Sequence, residues 1–166
     1  MKRLLLLRHG EAEPAGAAAS DFERPLTARG RAQALQAAHR LRQIHCVPDT
    51  ILASPALRTR ETAMILAAHL EQLQAVRYET AAYPGDPEAL LQLIDAVAGQ
   101  IGTLLLVGHN PGLSALARRF ALCASPRPAG AEPPELSTGA LCRIELSGGA
   151  AWSSVDPGVT DVTLVS

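Results

Sequence analysis

Three short segments of this chain place a cation or an imidazole directly after an apolar run. Arg8-His9-Gly10 ends Leu4-Leu5-Leu6-Leu7, Ser54-Pro55-Ala56-Leu57-Arg58 follows Thr50-Ile51-Leu52-Ala53, and Gly108-His109-Asn110-Pro111 follows Thr103–Val107. These residue types suit a phosphate. The planar fork of arginine grips phosphate oxygens at two points, and a neutral imidazole nitrogen can attack phosphorus to form a covalent phosphohistidine. Phosphoryl transfer asks mainly for a placed nucleophile and for positive charge on the equatorial oxygens. His9 is the candidate nucleophile, Arg8 and Arg58 the candidate clamp, and His109 a further donor. His9 must offer one lone pair, so its other nitrogen should donate to a carbonyl or carboxylate. Gly10 would let backbone approach a bound phosphate closely. Asn110 is a candidate substrate contact that also suits a helix cap, and the helix opening at Pro111-Gly112 would turn its amides toward an anion. No His, Asp or Cys group has metal-ligand spacing, so neither metal nor other cofactor is expected.

The elements that must position these residues follow from periodicity. Lys2–Arg8 predicts a buried strand, and residues 11 to 25 a loop. Thr27 is the expected N-cap of a helix to about Gln43, with Ala34, Leu35, Ala38, Leu41 and Ile44 on its apolar face. Thr50–Ala53 predicts a short strand. A second helix, roughly Arg58–Leu73, buries Ala63, Leu66, Ala67, Leu70 and Leu73. Val76–Ala81 predicts a third strand, and Tyr83-Pro84-Gly85-Asp86-Pro87 a turn. Pro87 then opens a helix to about Ala98 that buries Leu90, Leu91, Ile94 and Val97. Thr103–Val107 is apolar enough to be a central strand, and a helix follows from near Pro111 to Leu122. Residues 124 to 136 are proline-rich and read as a surface loop. Two last strands, Ala140–Leu146 and Ala151–Val155, are expected to pair across Ser147-Gly148-Gly149, with an irregular tail from Gly158.

This alternation predicts a layered α/β fold with a mostly parallel sheet. Ligands of such sheets bind beyond the carboxyl ends of the strands. All three segments fall at such ends, so they can converge although they are far apart in the chain.

Composition narrows the function classes. At 166 residues the chain suits one domain, residues 1–166. It is 48% hydrophobic but only 3% aromatic, so its core must be aliphatic. Net charge is −1, and no basic stripe interleaved with aromatics appears, which argues against nucleic acid as a partner. Cys46, Cys123 and Cys142 are too few and too widely spaced for a disulfide framework or a CxxC metal site, and fit reduced thiols in a cytoplasmic protein. The Leu4–Leu7 run is too short for a signal peptide, and no stretch is long enough to span a membrane. A monomer is expected; no exposed apolar stripe stands out.

Four segments in order resemble the histidine phosphatase superfamily: Arg8-His9-Gly10-Glu11-Ala12, Arg24-Pro25-Leu26-Thr27-Ala28-Arg29-Gly30, Ser54 through Ala63, and Gly108-His109-Asn110-Pro111. The short length and the Asp21-x-x-Arg24-Pro25-Leu26-Thr27 segment look most like its SixA phosphohistidine phosphatases. The resemblance implies a three-layer α/β/α sandwich, phosphoglycerate mutase-like, with a six-stranded mixed and mostly parallel sheet. It implies His9 as phosphate acceptor, Arg8, Arg58 and His109 as the rest of the phosphate pocket, and Arg24 as a further substrate contact. The chain has no room for a lid insertion, and an open site suits a phosphorylated protein.

The chain departs from many of these relatives in its proton donor. Asp86 and Glu88 are the candidate proton donors in the corresponding region, but neither sits in a matching motif. An alkoxide leaving group needs a proton, and general-acid help contributes about 100- to 10,000-fold. The imidazole of a phosphohistidine leaves more readily, so a missing acid favours an N–P bond. A phosphohistidine phosphatase is therefore the leading expectation. A phosphatase or mutase acting on a small phosphate ester is the alternative, and a non-catalytic phosphate-binding module the third. Glu11 reads as a neighbour of His9 or a plain loop acid. Arg60, Arg118 and Arg119 read as surface charges, and His39, His45 and His69 as structural histidines without partners.

Overall fold

The computed structural model describes residues 2–97, 99–124, 134–146, 152 and 159–165. Strand β1 (Lys2–Arg8) is followed by helix α1 (Ala28–Gln43), β2 (Thr50–Ala53), α2 (Leu57–Leu70), β3 (Val76–Tyr78) and α3 (Pro87–Asp95). Then come β4 (Thr103–Gly108), α4 (Gly112–Cys123), β5 (Leu141–Leu146) and β6 (Val159–Val165). The strands form one six-stranded mixed sheet in the order β3-β2-β4-β1-β5-β6. The first four are parallel, whereas β5 runs antiparallel to β1 and β6 antiparallel to β5.

Alternation along β1 divides the core. Leu5 and Leu7 point to the face covered by α1 and α2, where they meet Ala38, Leu41, Ala63 and Leu66. Leu4 and Leu6 point to the face covered by α3 and α4, where they meet Leu90, Ile94, Leu113 and Phe120. All four leucines are fully buried, and burial of each contributes about 1.5–3 kcal/mol. A strand covered on both faces has no polar side to show, so its sequence is continuously apolar.

The helix ends follow local chemistry. Thr27 caps α1 by accepting from the Gly30 amide at 3.0 Å, a contact that typically contributes about 1 kcal/mol. Asp86 caps α3 by accepting from the Glu88 and Ala89 amides, with Pro87 in the first turn. Glu71 stops α2 in the left-handed region at φ 59°.

Several expected boundaries move. Because α2 ends at Leu70, Leu73 lies in a separate 3-10 turn and is half exposed rather than buried. The stripe of α1 is Gly30, Ala34, Ala37, Ala38 and Leu41, with Leu35 outside it and exposed. Small residues there let α1 lie close against α2. The third strand stops at Tyr78 and a 3-10 turn spans Thr80–Ala82. Helix α3 stops at Asp95, leaving Val97 only partly buried.

The tail is not irregular, because Val159–Val165 forms the edge strand β6, as its β-branched residues favour. The expected strand Ala151–Val155 and its turn lie outside the described residues, apart from Trp152. That residue is buried, and its indole N–H donates to the Ile101 carbonyl at 3.1 Å. Among the described residues no helix is long and apolar enough to cross a membrane.

Candidate active site

Parallel pairing of β1 with β4 and of β4 with β2 brings three strand ends to one edge of the sheet. His9, Ser54 and His109 follow those ends, and Arg58 lies in the first turn of α2. The His9 amide donates to the Gly108 carbonyl at 3.1 Å, fixing the first segment to the third. An open cleft of about 450 Å³ lies over this edge and carries Arg8, His9, Asp21, Arg24, Arg58, Tyr83, His109 and Asn110 on its walls.

The tautomer of His9 is set by its neighbour. Nδ1 lies 2.7 Å from the Gly10 carbonyl oxygen, which can only accept, so Nδ1 carries the proton. Nε2 is left with a lone pair, toward which Arg58 Nε donates at 3.3 Å. Gly10 is held on both sides: the Glu11 N–H, in the same peptide plane as the Gly10 carbonyl, donates to Gln33 Oε1 at 2.7 Å, and the Gly10 amide donates to Thr62 Oγ1 at 3.1 Å, with Thr62 donating to the Arg58 carbonyl at 2.7 Å. Burial, and then the charges of Arg58, Arg8 and Arg24, push the His9 pKa down to about 4, with the Gly10 contact opposing them. The imidazole is therefore neutral at physiological pH, as a nucleophile must be.

Arg58 and His109 are both buried beside it. Arg58 Nη2 donates to His109 Nδ1 at 3.3 Å, so the proton of His109 sits on Nε2 and points to Ser54 Oγ at 2.8 Å. Burial first, then Arg58 and His9, lower the His109 pKa to about 3. Both His109 nitrogens are therefore engaged within the protein, Nδ1 by Arg58 and Nε2 by Ser54. The ring becomes a donor to a ligand only by taking up a proton, which a bound dianion would favour.

Asp21 is the residue that sequence reasoning missed. It sits in a 3-10 turn, Asp21–Glu23. Its Oδ2 accepts from Arg58 Nη2 at 3.0 Å and from the Tyr83 hydroxyl at 3.1 Å. Its Oδ1 accepts from Arg24 Nε and Nη2, both at 2.9 Å. Desolvation raises its pKa, but the bonds from Arg58, Arg24 and Tyr83 and the Arg58 charge outweigh that and hold it below the usual range. The signal in the chain was the three-residue spacing of Asp21 and Arg24. Tyr83 was likewise read only as part of a turn.

The other arginines are steered by backbone. Arg24 Nη1 donates to the Glu13 carbonyl at 2.7 Å. Arg8 Nη1 donates to the Leu136 carbonyl at 3.1 Å, while its Nε is buried with no partner among the described residues. Asn110 Nδ2 donates to that same carbonyl at 2.7 Å. Leu136 is thus fully buried at the border of the site, although it ends the stretch expected to be a surface loop. Residues 125–133 of that stretch lie outside the described residues.

Four expected placements need correction. Gly10 does not offer its amide to the cleft, since that amide donates to Thr62. Its need for glycine is packing: a Cβ there would stand 2.3 Å from the Gly30 carbonyl oxygen. The first turn of α4 is closed by its own chain, with the Leu113 amide on the His109 carbonyl and Ser114 on Asn110 Oδ1. Asn110 is on the cleft wall, yet both ends of its side-chain amide are engaged within the protein. Asp86 and Glu88 lie outside the cleft, the first capping α3 and the second paired with Arg119 at 3.2 Å.

Away from the cleft, His39 and His69 do have partners, since their rings meet edge-on at 4.3 Å across α1 and α2. Among the described residues no group of three or more His, Cys, Asp or Glu could hold a metal ion.

Comparison with known proteins agrees with this geometry. The sequence pattern of the histidine phosphatase superfamily (branch 1) matches residues 4–81. An uncharacterised protein of Mycobacterium tuberculosis is 34% identical over 155 residues, covering 92% of this chain and 93% of that protein. The fold superposes on a protein assigned as phosphohistidine phosphatase SixA from Nakamurella multipartitia with a TM-score of 0.83 and 28% identity, over 99% of this chain and 95% of that one. A protein assigned as SixA from Agrobacterium tumefaciens gives a TM-score of 0.75 and 27% identity, over 98% and 97% of the two chains.

Proposed function

Because this chain belongs to the histidine phosphatase superfamily and is SixA-like, we propose that it is a metal-independent phosphohistidine phosphatase with His9 as its nucleophile. One observation carries the reading. The Gly10 carbonyl accepts a hydrogen bond from the Nδ1–H of a neutral His9, and the His9 Nε2 lone pair lies in a cleft lined by Arg8, Arg24 and Arg58.

The lone pair of His9 Nε2 attacks phosphorus, and the P–N bond of the substrate breaks with its electron pair returning to the leaving imidazole. A substrate ring that already carries a proton on its second nitrogen departs neutral and needs no acid. Water then attacks the phosphorus of phospho-His9, loses a proton, and restores the free imidazole and inorganic phosphate. Arg58 and Arg8 spread positive charge over the phosphoryl oxygens, and Arg8 Nε, unpartnered among the described residues, is a donor suited to one of them. Arg24 adds a further cation, and Asn110 positions the wall beside Arg8. His109 takes up a proton as the dianion arrives and then donates to it.

The carboxylate in this cleft argues for the same bond type. Asp21 is held ionised by two arginines, which makes it a poor acid for an alkoxide. A mutase or sugar-phosphate phosphatase would need such an acid. We place the activity in one domain, residues 1–166, acting as a cytoplasmic monomer on a phosphorylated protein. The unpaired Cys46, Cys123 and Cys142 support a reducing compartment.

The test is phosphate release from a phosphohistidine-bearing protein and from small phosphomonoesters, with wild type and His9→Ala. Release from phosphohistidine that is lost in the variant is expected. Turnover of esters alone would move the reading to a small-ester phosphatase, and no turnover of either would leave a phosphate-binding module.

A further inference from the structure

We propose that Asp21 and Tyr83 form the subsite for the leaving group, selecting a flat cationic ring and rejecting leaving groups that carry a carboxylate. This rests on the phosphohistidine reading and adds the residues that would enforce it.

The aromatic residues supply the first argument. The chain has only two Phe, two Tyr and one Trp, of which Phe120 and Trp152 are buried in the core on the α3 and α4 face of the sheet. Yet one Phe and one Tyr meet at the mouth of the cleft. His9 and His109 lie 5.2 Å apart by ring centroids, His109 and Tyr83 5.4 Å, and Tyr83 and Phe22 5.1 Å. The last two contacts are edge-to-face, at 78° and 88°. A continuous aromatic wall therefore runs from the nucleophile to the surface, where Phe22 is 38% exposed. Tyr83 lines the cleft and Phe22 braces it from outside. A leaving group emerging opposite His9 Nε2 passes along this wall, and a planar ring gains most from it.

The second argument is charge. Asp21 Oδ2 sits between the Tyr83 hydroxyl and Arg58 Nη2. A phosphoryl group that takes the Arg58 fork releases one acceptor place on Oδ2, beside the Tyr83 ring. That place suits the N–H of an imidazolium and is repulsive to an anionic leaving group. Specificity built this way uses repulsion as much as attraction.

The experiment compares kcat/KM for N-phosphoimidazole, phosphoramidate, phenyl phosphate and 4-carboxyphenyl phosphate in wild type, Tyr83→Leu, Tyr83→Phe and Asp21→Asn. Tyr83→Leu is expected to lower the phosphoimidazole-to-phosphoramidate ratio about 3- to 10-fold, because these share the P–N bond and differ in the ring. Tyr83→Phe, which keeps the ring and guards against a folding defect, should retain most of that ratio. Asp21→Asn should raise 4-carboxyphenyl phosphate relative to phenyl phosphate by about 2- to 5-fold, since the carboxylate is half exposed and screened. Equal losses on both P–N compounds, with the two aryl esters unchanged relative to one another, would overturn the subsite while leaving the phosphatase reading intact. Failure of wild type to cleave any P–N compound would instead overturn the phosphohistidine reading itself.

Discussion

Arg58 holds Asp21 twice, with Nη1 donating to its carbonyl at 2.6 Å and Nη2 to its carboxylate at 3.0 Å. The same guanidinium donates to His9 and to His109. Asp21 therefore occupies the cation that a phosphate needs. The two compete for one fork.

That competition has a direct readout. Asp21→Asn removes the negative charge while the backbone contact to Arg58 remains. Inorganic phosphate should then inhibit at about 3- to 10-fold lower concentration, a modest gain because the carboxylate is half exposed and screened. An unchanged or weaker inhibition constant would show that Asp21 does not compete.

The pH profile should follow the depressed histidines. His9, with its pKa near 4, stays neutral well below pH 6.5, so once the substrate's own ionisation is divided out, kcat/KM should stay nearly flat from pH 7 to 5 and fall only as pH nears 4. An acid limb centred near 6.5 would contradict this.

Stability should move in a different window. Unfolded His9 protonates near pH 6.5 and folded His9 near 4. Between these values the unfolded state binds more protons, so stability is full above 6.5 and is lost as pH falls toward 4. The loss from His9 is on the order of 3 kcal/mol. Urea unfolding at pH 7.5, 6 and 5 should show a smaller decline for His9→Gln than for wild type.

Thr62 makes no contact with the cleft and still governs its nucleophile. Thr62→Val keeps the shape but leaves the buried Gly10 amide unpaired, at a cost of about 1–3 kcal/mol. The denaturant midpoint should drop accordingly. Loosening the Gly10 carbonyl should also lower kcat more than it raises KM, whereas a purely structural Thr62 would leave kcat untouched in the folded fraction.

Gly30 is expected to tolerate nothing larger. A Cβ there would lie 2.0 Å from the Glu11 carbonyl oxygen, a backbone atom that cannot turn aside. Gly30→Ala should destabilise by about 3 kcal/mol or more. Gly99→Ala, with nothing within 4 Å of its added methyl, should stay within about 0.5 kcal/mol of wild type. Thermal unfolding of the two variants side by side gives the comparison.

The sequence by itself determined the central strands β1, β2 and β4, the four helices and the chain positions of the groups at their ends, but not the edge strand β6, which read as an irregular tail. Runs such as Leu4–Leu7 and Thr103–Val107 are continuously apolar because both faces of their strands are covered. A parallel sheet then gathers their carboxyl ends at one edge, so His9, Arg58 and His109 meet in space. Only the tertiary structure decided which groups face one another there. Asp21 and Tyr83 lie in turns without periodicity, and Arg58, which holds Asp21, is 37 residues away. Leu136 receives Arg8 from 128 residues away. Such contacts depend on how loops fold back across the sheet edge, which no local pattern encodes. The tautomer of His9 has the same origin, since Gly10 is its neighbour in sequence but Thr62 and Gly30 fix where that carbonyl points.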